Sequence, residues 1–402
     1  MLIYNEFLDN SLKGKGIQTM AHCCNTVFSQ LLKTVGRHEF EAIASLHHQG
    51  QRLRKTSRWA QFVAMAFAQL SGRQSLRDIE TNLQAQRQHS YHLGSAPISR
   101  SSLARLNNQQ PASCYEALFY RLYERCLKRA PKHGFRFKNP LYALDASLID
   151  LSLKLFPWSH YALGKGAMKL QVGLDLRGNL PAFATVTESR KADSECAKLL
   201  ALPKGSIVVC DRGYNDYSWY KLLTGKGVFY VTRQRGNATY EVIERRAVPV
   251  HSGVISDAVI RFNSHRSRQK QLPNVRQVVY QDAQTQREYI FITNHFKLSA
   301  QTIAAIYKQR WQVELFFKWI KQNLKIKSFL GTSKNAVMTQ IWIAMCVYLL
   351  LAFIKFSHQV AVSQQQILRL LALNLFAKRD LIRLIKTEPP PGDHQSIQAA
   401  LW

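Results

Sequence analysis

Acidic side chains are scarce in this chain: 25 Asp and Glu stand against 55 Lys and Arg, a formal charge of +30 over 402 residues and a pI near 10.1. So large a basic surplus points to a polyanionic partner. A membrane surface is the weaker alternative, because no cationic amphipathic anchor lies beside a terminus. Long apolar runs are missing too. The longest, Ile341 to Ile354, has 14 residues, short of the roughly 20 a spanning helix requires, and predicts a buried core helix. The N-terminus lacks a basic-then-apolar signal, so export is not expected and the chain is placed in the cytoplasm, at the nucleoid. Its seven cysteines form no CxxC and no Cys/His zinc spacing; only Cys23 and Cys24 are adjacent. Reduced thiols in a cytosol follow. No internal repeat is visible. What is present is 46% hydrophobic and 11% aromatic residues, enough for a sizeable core in two or three domains.

Residues 1–20 have little periodicity and are expected to be a disordered leader, with Met20 opening a better amphipathic pattern and a candidate for the true start. From 21 to 136 the spacing predicts a helical domain. Phe28, Leu31, Leu32 and Val35 fall at helical intervals, as do Phe62, Met65, Ala66 and Leu70. Ser75 is a candidate N-cap, and Ser101 or Ser102 lies near the cap of a later short helix. Arg73, Arg77, Arg87, Arg100 and Arg105 in this part suit contact with a DNA backbone.

Near Phe137 the period changes to that of strands. A strand from Leu141, a hairpin over Met168–Leu176 and Pro181–Ser189 with Arg177, Gly178 and Asn179 at its turn, a helix from Asp193, a buried strand ending at Asp211, a helix closed by Gly225 and a strand from Val228 follow in order. This is the order of a ribonuclease-H-like fold, a mixed five-stranded sheet with helices, over 137–335. A β-rich insertion interrupts it at about 234–288. Within it Arg261, Arg266, Arg268, Lys270 and Arg276 run without an acid. Residues 336–402 read as a helical C-terminal region whose PPPGD marks a loose tail.

The segment YKQRWQVELFFKWIK, from Tyr307, predicts one helix. Tyr307, Arg310, Glu314 and Lys321 fall within about 60° of arc at about 100° per residue, on an otherwise largely apolar helix. Buried charges need partners. Arg310 and Glu314 are spaced to pair with each other. Alternatively, a metal ion serves Glu314 and phosphates serve Arg310 and Lys321.

Two further acids favour the second possibility. Asp145 lies mid-strand in LYALDASLID and Asp211 ends VVCD. Asp150 or Asp175 could compete with Asp145, Asp211 could merely cap the turn at Arg212-Gly213, and Asp216 is a helix N-cap. In the expected sheet the first and fourth strands are neighbours, so Asp145 and Asp211 meet at one edge and the later helix brings Glu314 there. Three converging carboxylates repel one another unless a divalent cation sits among them. Oxygen ligands suit Mg²⁺, and two ions about 4 Å apart suit in-line phosphoryl transfer.

With these residues in view, the chain resembles the DDE transposases of the bacterial insertion-sequence-four family. Tyr307, Arg310, Glu314 and Lys321 reproduce that family's signature spacing; CDRGY at Cys210–Tyr214 resembles its second-aspartate region and LDAS at Leu144–Ser147 its first. The resemblance covers roughly Leu141–Lys355, and the N-terminal helices resemble the domain often found ahead of such cores. It implies Asp145, Asp211 and Glu314 as catalytic metal ligands for two Mg²⁺ ions, with Mn²⁺ as a substitute. It also implies cut-and-paste excision through hairpin ends, terminal inverted repeats and target DNA as partners, and a homodimer in the synaptic complex. Tyr307, Arg310 and Lys321 would hold phosphates. Trp311 would pack by an unstacked terminal base or, equally, in the core. Some members set a second tryptophan from the insertion against that base; here no Trp lies between Trp219 and Trp311, leaving Tyr240, Phe262 or Tyr280. A structure-specific nuclease of the same fold, or a domesticated DNA-binding regulator without catalysis, are the alternatives.

Overall fold

The computed structural model describes residues 25–162, 165–188, 193–250 and 252–387. The leader, Met20, the Cys23–Cys24 pair and the PPPGD tail lie outside them.

The chain opens with helices α1 (Val27–Leu32), α2 (Arg37–Leu46), α3 (Arg58–Ser71), α4 (Leu76–Ala85), α5 (Arg100–Gln109) and α6 (Ser113–Leu127). Hydroxyl caps start most of them. Ser75 accepts from the Asp78 amide as its position predicts. The cap of α5 is Ser99, not Ser101 or Ser102, because Ser99 keeps extended backbone while its Oγ accepts from the Ser102 amide.

Strands β1 (Leu141–Leu151), β2 (His160–Ala162), β3 (Lys165–Asp175) and β4 (Leu180–Glu188) follow, then α7 (Asp193–Lys198), β5 (Ile207–Cys210), α8 (Tyr217–Gly225) and β6 (Phe229–Arg233). The β3–β4 turn holds Gly178 at φ 71° and Asn179 at φ 54°. Gly178 is needed twice over: its φ is left-handed, and a Cβ there would stand 2.7 Å from the Phe356 ring. The sheet order β4-β3-β1-β5-β6 has β1, β5 and β6 parallel and the β3–β4 hairpin antiparallel. This is the ribonuclease-H-like arrangement.

The sheet does not stop at five strands. Beyond β6 come β7 (Tyr240–Arg245), β8 (Val254–Phe262), a short α9 (His265–Gln269), β9 (Val275–Gln281) and β10 (Glu288–Thr293). β10 pairs antiparallel with β6, and β9, β8 and β7 add on in turn. β10 takes up the edge amides that β6 would otherwise leave unpaired, and the insertion strands β9, β8 and β7 extend the sheet from it. Its Arg276 is fully buried, donating to both carboxylate oxygens of Asp257 at 2.8 and 2.7 Å and to the His295 and Leu298 carbonyls. That arginine is scaffold, whereas Arg261, Arg268 and Lys270 earlier in the same basic run are exposed.

The chain finishes with α10 (Ala300–Gln309), α11 (Trp311–Asn323), α12 (Lys334–Ser357), α13 (Gln364–Asn374) and α14 (Leu381–Ile385). α10 and α11 cover one face of the sheet; α7 and α8 cover the other. α12 runs ten residues beyond the 14-residue apolar stretch and is long and apolar enough to cross a membrane, yet it is buried against α3, α5 and α6. Helices from both ends of the chain thus share one core.

Candidate active site

Successive strand residues point to opposite faces. On β1 and β5, Ala143 and Val209 point toward α10 and α11, while Leu144 and Cys210 point toward α8. Leu144 pairs with Cys210 in parallel register. The next residue is an aspartate in each case, Asp145 within β1 and Asp211 just past the end of β5. Asp145 and Asp211 thus lie side by side, on the α10–α11 face, where the pairing of β1 with β5 ends.

The CDRGY segment explains itself in this setting. Cys210 is buried in the strand and Tyr214 in the core, its hydroxyl accepting from Gln171 Nε2 at 3.1 Å. Between them the chain turns, with Asp211 Oδ1 accepting from the Gly213 amide at 2.8 Å. A Cβ on residue 213 would fall 2.9 Å from that same oxygen. Asp211 caps this turn and still presents a second oxygen.

Asp145 Oδ1 accepts from the Ala146 amide at 2.8 Å. Burial pushes its carboxyl up to about 6. The Ala146 amide and the Arg310 guanidinium draw it down, and the Asp211 and Glu314 carboxylates push it up. The two competitors for its place are elsewhere. Asp175 is fully buried, bound by Arg177 and the Tyr123 hydroxyl. Asp150 is exposed on the opposite face of β1.

The helix predicted from Tyr307 is two helices. α10 ends at Gln309 and α11 begins at Trp311, with Arg310 at the junction. The Arg310 amide bonds back to the Tyr307 carbonyl and the Val313 amide to that of Arg310, each an i to i−3 bond that tightens the backbone there. Arg310 Nη2 pairs with Glu314 Oε1 at 2.6 Å, so the i,i+4 pairing is made. Its guanidinium stands 5.8 Å from the Tyr307 ring centre, and its buried Nε has no hydrogen-bond partner. Lys321 Nζ donates to the Leu148 carbonyl of β1 at 2.8 Å. Burial and the Lys327 charge pull its ammonium down, while Asp150 works the other way.

Trp311 is not core. It is 55% exposed, at the rim of a cleft of about 490 Å³ shared with Tyr307, Arg310, Tyr280, Tyr289 and Arg233. Of the three aromatics that could stand across from it, Tyr280 lines this cleft. Tyr240 lies on the edge strand β7, and Phe262 is buried toward the α8 face. Tyr289 and Arg233, stacked with 5.1 Å between guanidinium and ring centre, were passed over in the sequence. The alternation of YIFIT, which sets Tyr289 on the same face as Phe291, is the signal that points to Tyr289.

Among the described residues no three His, Cys, Asp or Glu side chains are gathered closely enough to hold a metal ion. The donor chemistry nonetheless suits a hard cation: one carboxylate lies on β1 and the other just past the end of the adjacent β5, the first desolvated beside like charges. Glu314, held by Arg310, is near enough to push the Asp145 carboxyl up.

A family model for the transposase DDE domain matches residues 136–350, more than half of the chain, and one for a domain of unknown function, DUF4372, matches residues 23–96. A putative transposase of Sinorhizobium fredii, y4zB, is 31% identical over 75% of this chain and 84% of its own length. A probable transposase for insertion sequence element IS5377 of Geobacillus stearothermophilus is 27% identical over 63% of this chain and 67% of its own. A solved synaptic complex of piggyBac transposase with hairpin DNA has 12% identity and a TM-score of 0.43, covering 91% of this chain and 81% of that one. The insertion-sequence-four resemblance agrees with the two transposase relatives and the DDE match. The chain belongs to the transposase DDE family: it is a DNA-acting transposase of an insertion sequence.

Proposed function

We propose that this transposase excises its element by cut-and-paste, through hairpin ends, and joins the freed ends to target DNA. Asp145, Asp211 and Glu314 hold two Mg²⁺ ions, for which Mn²⁺ substitutes; divalent metal use is general to DDE enzymes. When bound, the ions supply Lewis-acid stabilisation of the reacting phosphoryl oxygens. The observation that carries the proposal is the pair of aspartates side by side at the end of β1–β5 pairing, with the Arg310–Glu314 pair close enough to act on Asp145.

The chain's own groups do the rest. Arg310 carries an unpartnered Nε in a half-buried setting, and a phosphate oxygen satisfies it. As Arg310 turns to that phosphate, Glu314 is released to the aspartates. Tyr307 and Lys321 flank the same strand of the element end. A base pushed out of the stack enters the aromatic cleft between Trp311 and Tyr280 or Tyr289, its neighbouring phosphate meeting Arg233. Terminal inverted repeats and target DNA are the partners, in a synaptic homodimer carrying one element end per subunit. The enzyme works in the cytoplasm, at the nucleoid.

The test is cleavage of a labelled element end by Asp145→Asn, Asp211→Asn and Glu314→Gln. Each is expected to bind the end and fail to cut it. Full cutting by any of the three overturns its role. Mg²⁺ replaced by Ca²⁺ is expected to preserve binding and stop turnover. An unjoined product lacking the hairpin in a stalled reaction overturns the hairpin route alone.

A further inference from the structure

Consecutive residues of β6 and β10 line two different clefts. Arg233 and Phe291 face the Trp311 cleft, while Gln234 and Ile292 face a second one of about 570 Å³. The two clefts therefore lie on opposite faces of the sheet. They share an edge: β5 and β6 are parallel and in register, so the chain leaving β6 toward Arg235 emerges beside Asp211.

The second cleft is bounded by α8, the β6–β7 loop and the β8–β9 loop that contains α9. Its charge is one-sided. The acid lining it, Asp216, is neutralised by Lys198 at 2.9 Å and by capping α8. Arg235 and Lys270 are exposed and form no ion pair among the described residues, as is true of Arg268 close by. The basic run of the insertion thus divides. Arg261 and Arg276 are held by Glu241 and Asp257, whereas Lys270, without an ion pair among the described residues, lines this cleft. Tyr217 and Phe262, with ring centres 5.3 Å apart, add an aromatic wall.

We propose that this α8-side cleft, through Arg235 and Lys270, grips the phosphodiester backbone of target DNA. It rests on the reading of the α10–α11 face given above. Joining brings two DNA segments to the same carboxylates. The element end occupies the face that carries Tyr307, Arg310 and Trp311, so the second duplex approaches the shared edge from the other face, where uncompensated cations line the way.

The test uses the full chain with the double variant Arg235→Ala/Lys270→Ala. Cleavage of a flanked element end is expected at the wild-type rate. Joining of a pre-cleaved end to supercoiled plasmid is expected to fall about tenfold or more, and the logarithmic salt dependence for binding an end-free duplex to flatten by about 2, as two lost phosphate contacts require. The charge-conserving Arg235→Lys/Lys270→Arg is expected to restore both. Undiminished joining overturns the proposal. So does a defect seen with flanked ends and absent with pre-cleaved ones, which would assign the cleft to flanking donor DNA, and so does a defect the charge-conserving variant leaves in place. The end-free binding slope needs no catalysis: an unchanged slope overturns the cleft even if the wild-type protein cuts nothing, whereas a flattened slope beside a catalytically silent wild type faults the cut-and-paste reading instead.

Discussion

Two arginines of this protein hold a carboxylate at nearly the same distance, and they do different work. Arg276 meets Asp257 at 2.7 Å, with both side chains nearly sealed from solvent, through two parallel bonds, and spends its remaining donors on backbone carbonyls. Arg310 meets Glu314 at 2.6 Å through one nitrogen, remains partly exposed and leaves its Nε without a partner. The first pair is complete and locks β8 to β9 and to the segment leading into α10. The second is incomplete, lies on a backbone break and sits beside a desolvated aspartate. The first charge is satisfied within the scaffold; the second keeps an unpaired donor beside the Asp145 carboxyl, which burial and the neighbouring Asp211 and Glu314 push up.

The comparison can be broken most forcefully at Arg276. Arg276→Ala strands Asp257 in the core and is expected to cost about 3–5 kcal/mol of folding stability, measured by urea denaturation; a loss below 1 kcal/mol would show the pair to be dispensable. Arg310→Ala is expected to leave the unfolding midpoint nearly unchanged while slowing end cleavage about 10²–10³-fold, the scale for removing one group that stabilises developing charge. Equal losses of stability in the two variants would erase the distinction. Trp311→Ala, at an exposed site, is expected to cost about 1–3 kcal/mol in hairpin formation with no loss of stability; fluorescence of 2-aminopurine at the terminal base reports the change, and an unaltered signal removes Trp311 from the base cleft. Lys321→Ala is expected to have the smallest effect, lowering the logarithmic salt slope of end binding by about 1. A slope identical to wild type would leave Lys321 with its Leu148 carbonyl alone.

Residues with strong local signals were legible in sequence. Ser75 and Asp216 cap helices because a short oxygen beside a free amide needs nothing from the rest of the chain. Strand β5 showed as a short apolar run since both of its faces are covered. Signals that depend on partners did not carry. Ser99, Ser101 and Ser102 are chemically alike, and backbone shape at one of them selects the cap. The wheel drawn from Tyr307 assumed an unbroken helix, whereas the tight bonds at Arg310 rotate Tyr307 relative to Glu314. Nothing local separates Arg276 from Arg268, because their difference is which of them the sheet covers.

The order of strands and helices, the strand positions of Asp145 and Asp211 and the spacing of Tyr307, Arg310, Glu314 and Lys321 were properties of the amino-acid sequence alone, since each depends on periodicity along a single segment. Tertiary structure alone decided that the insertion widens the sheet, that Trp311 stands in solvent, that Glu314 rests on Arg310 and that Arg235 and Lys270 line one cleft. Those facts depend on which distant segments meet, and pairing across a sheet is set by edges and burial that no single segment contains.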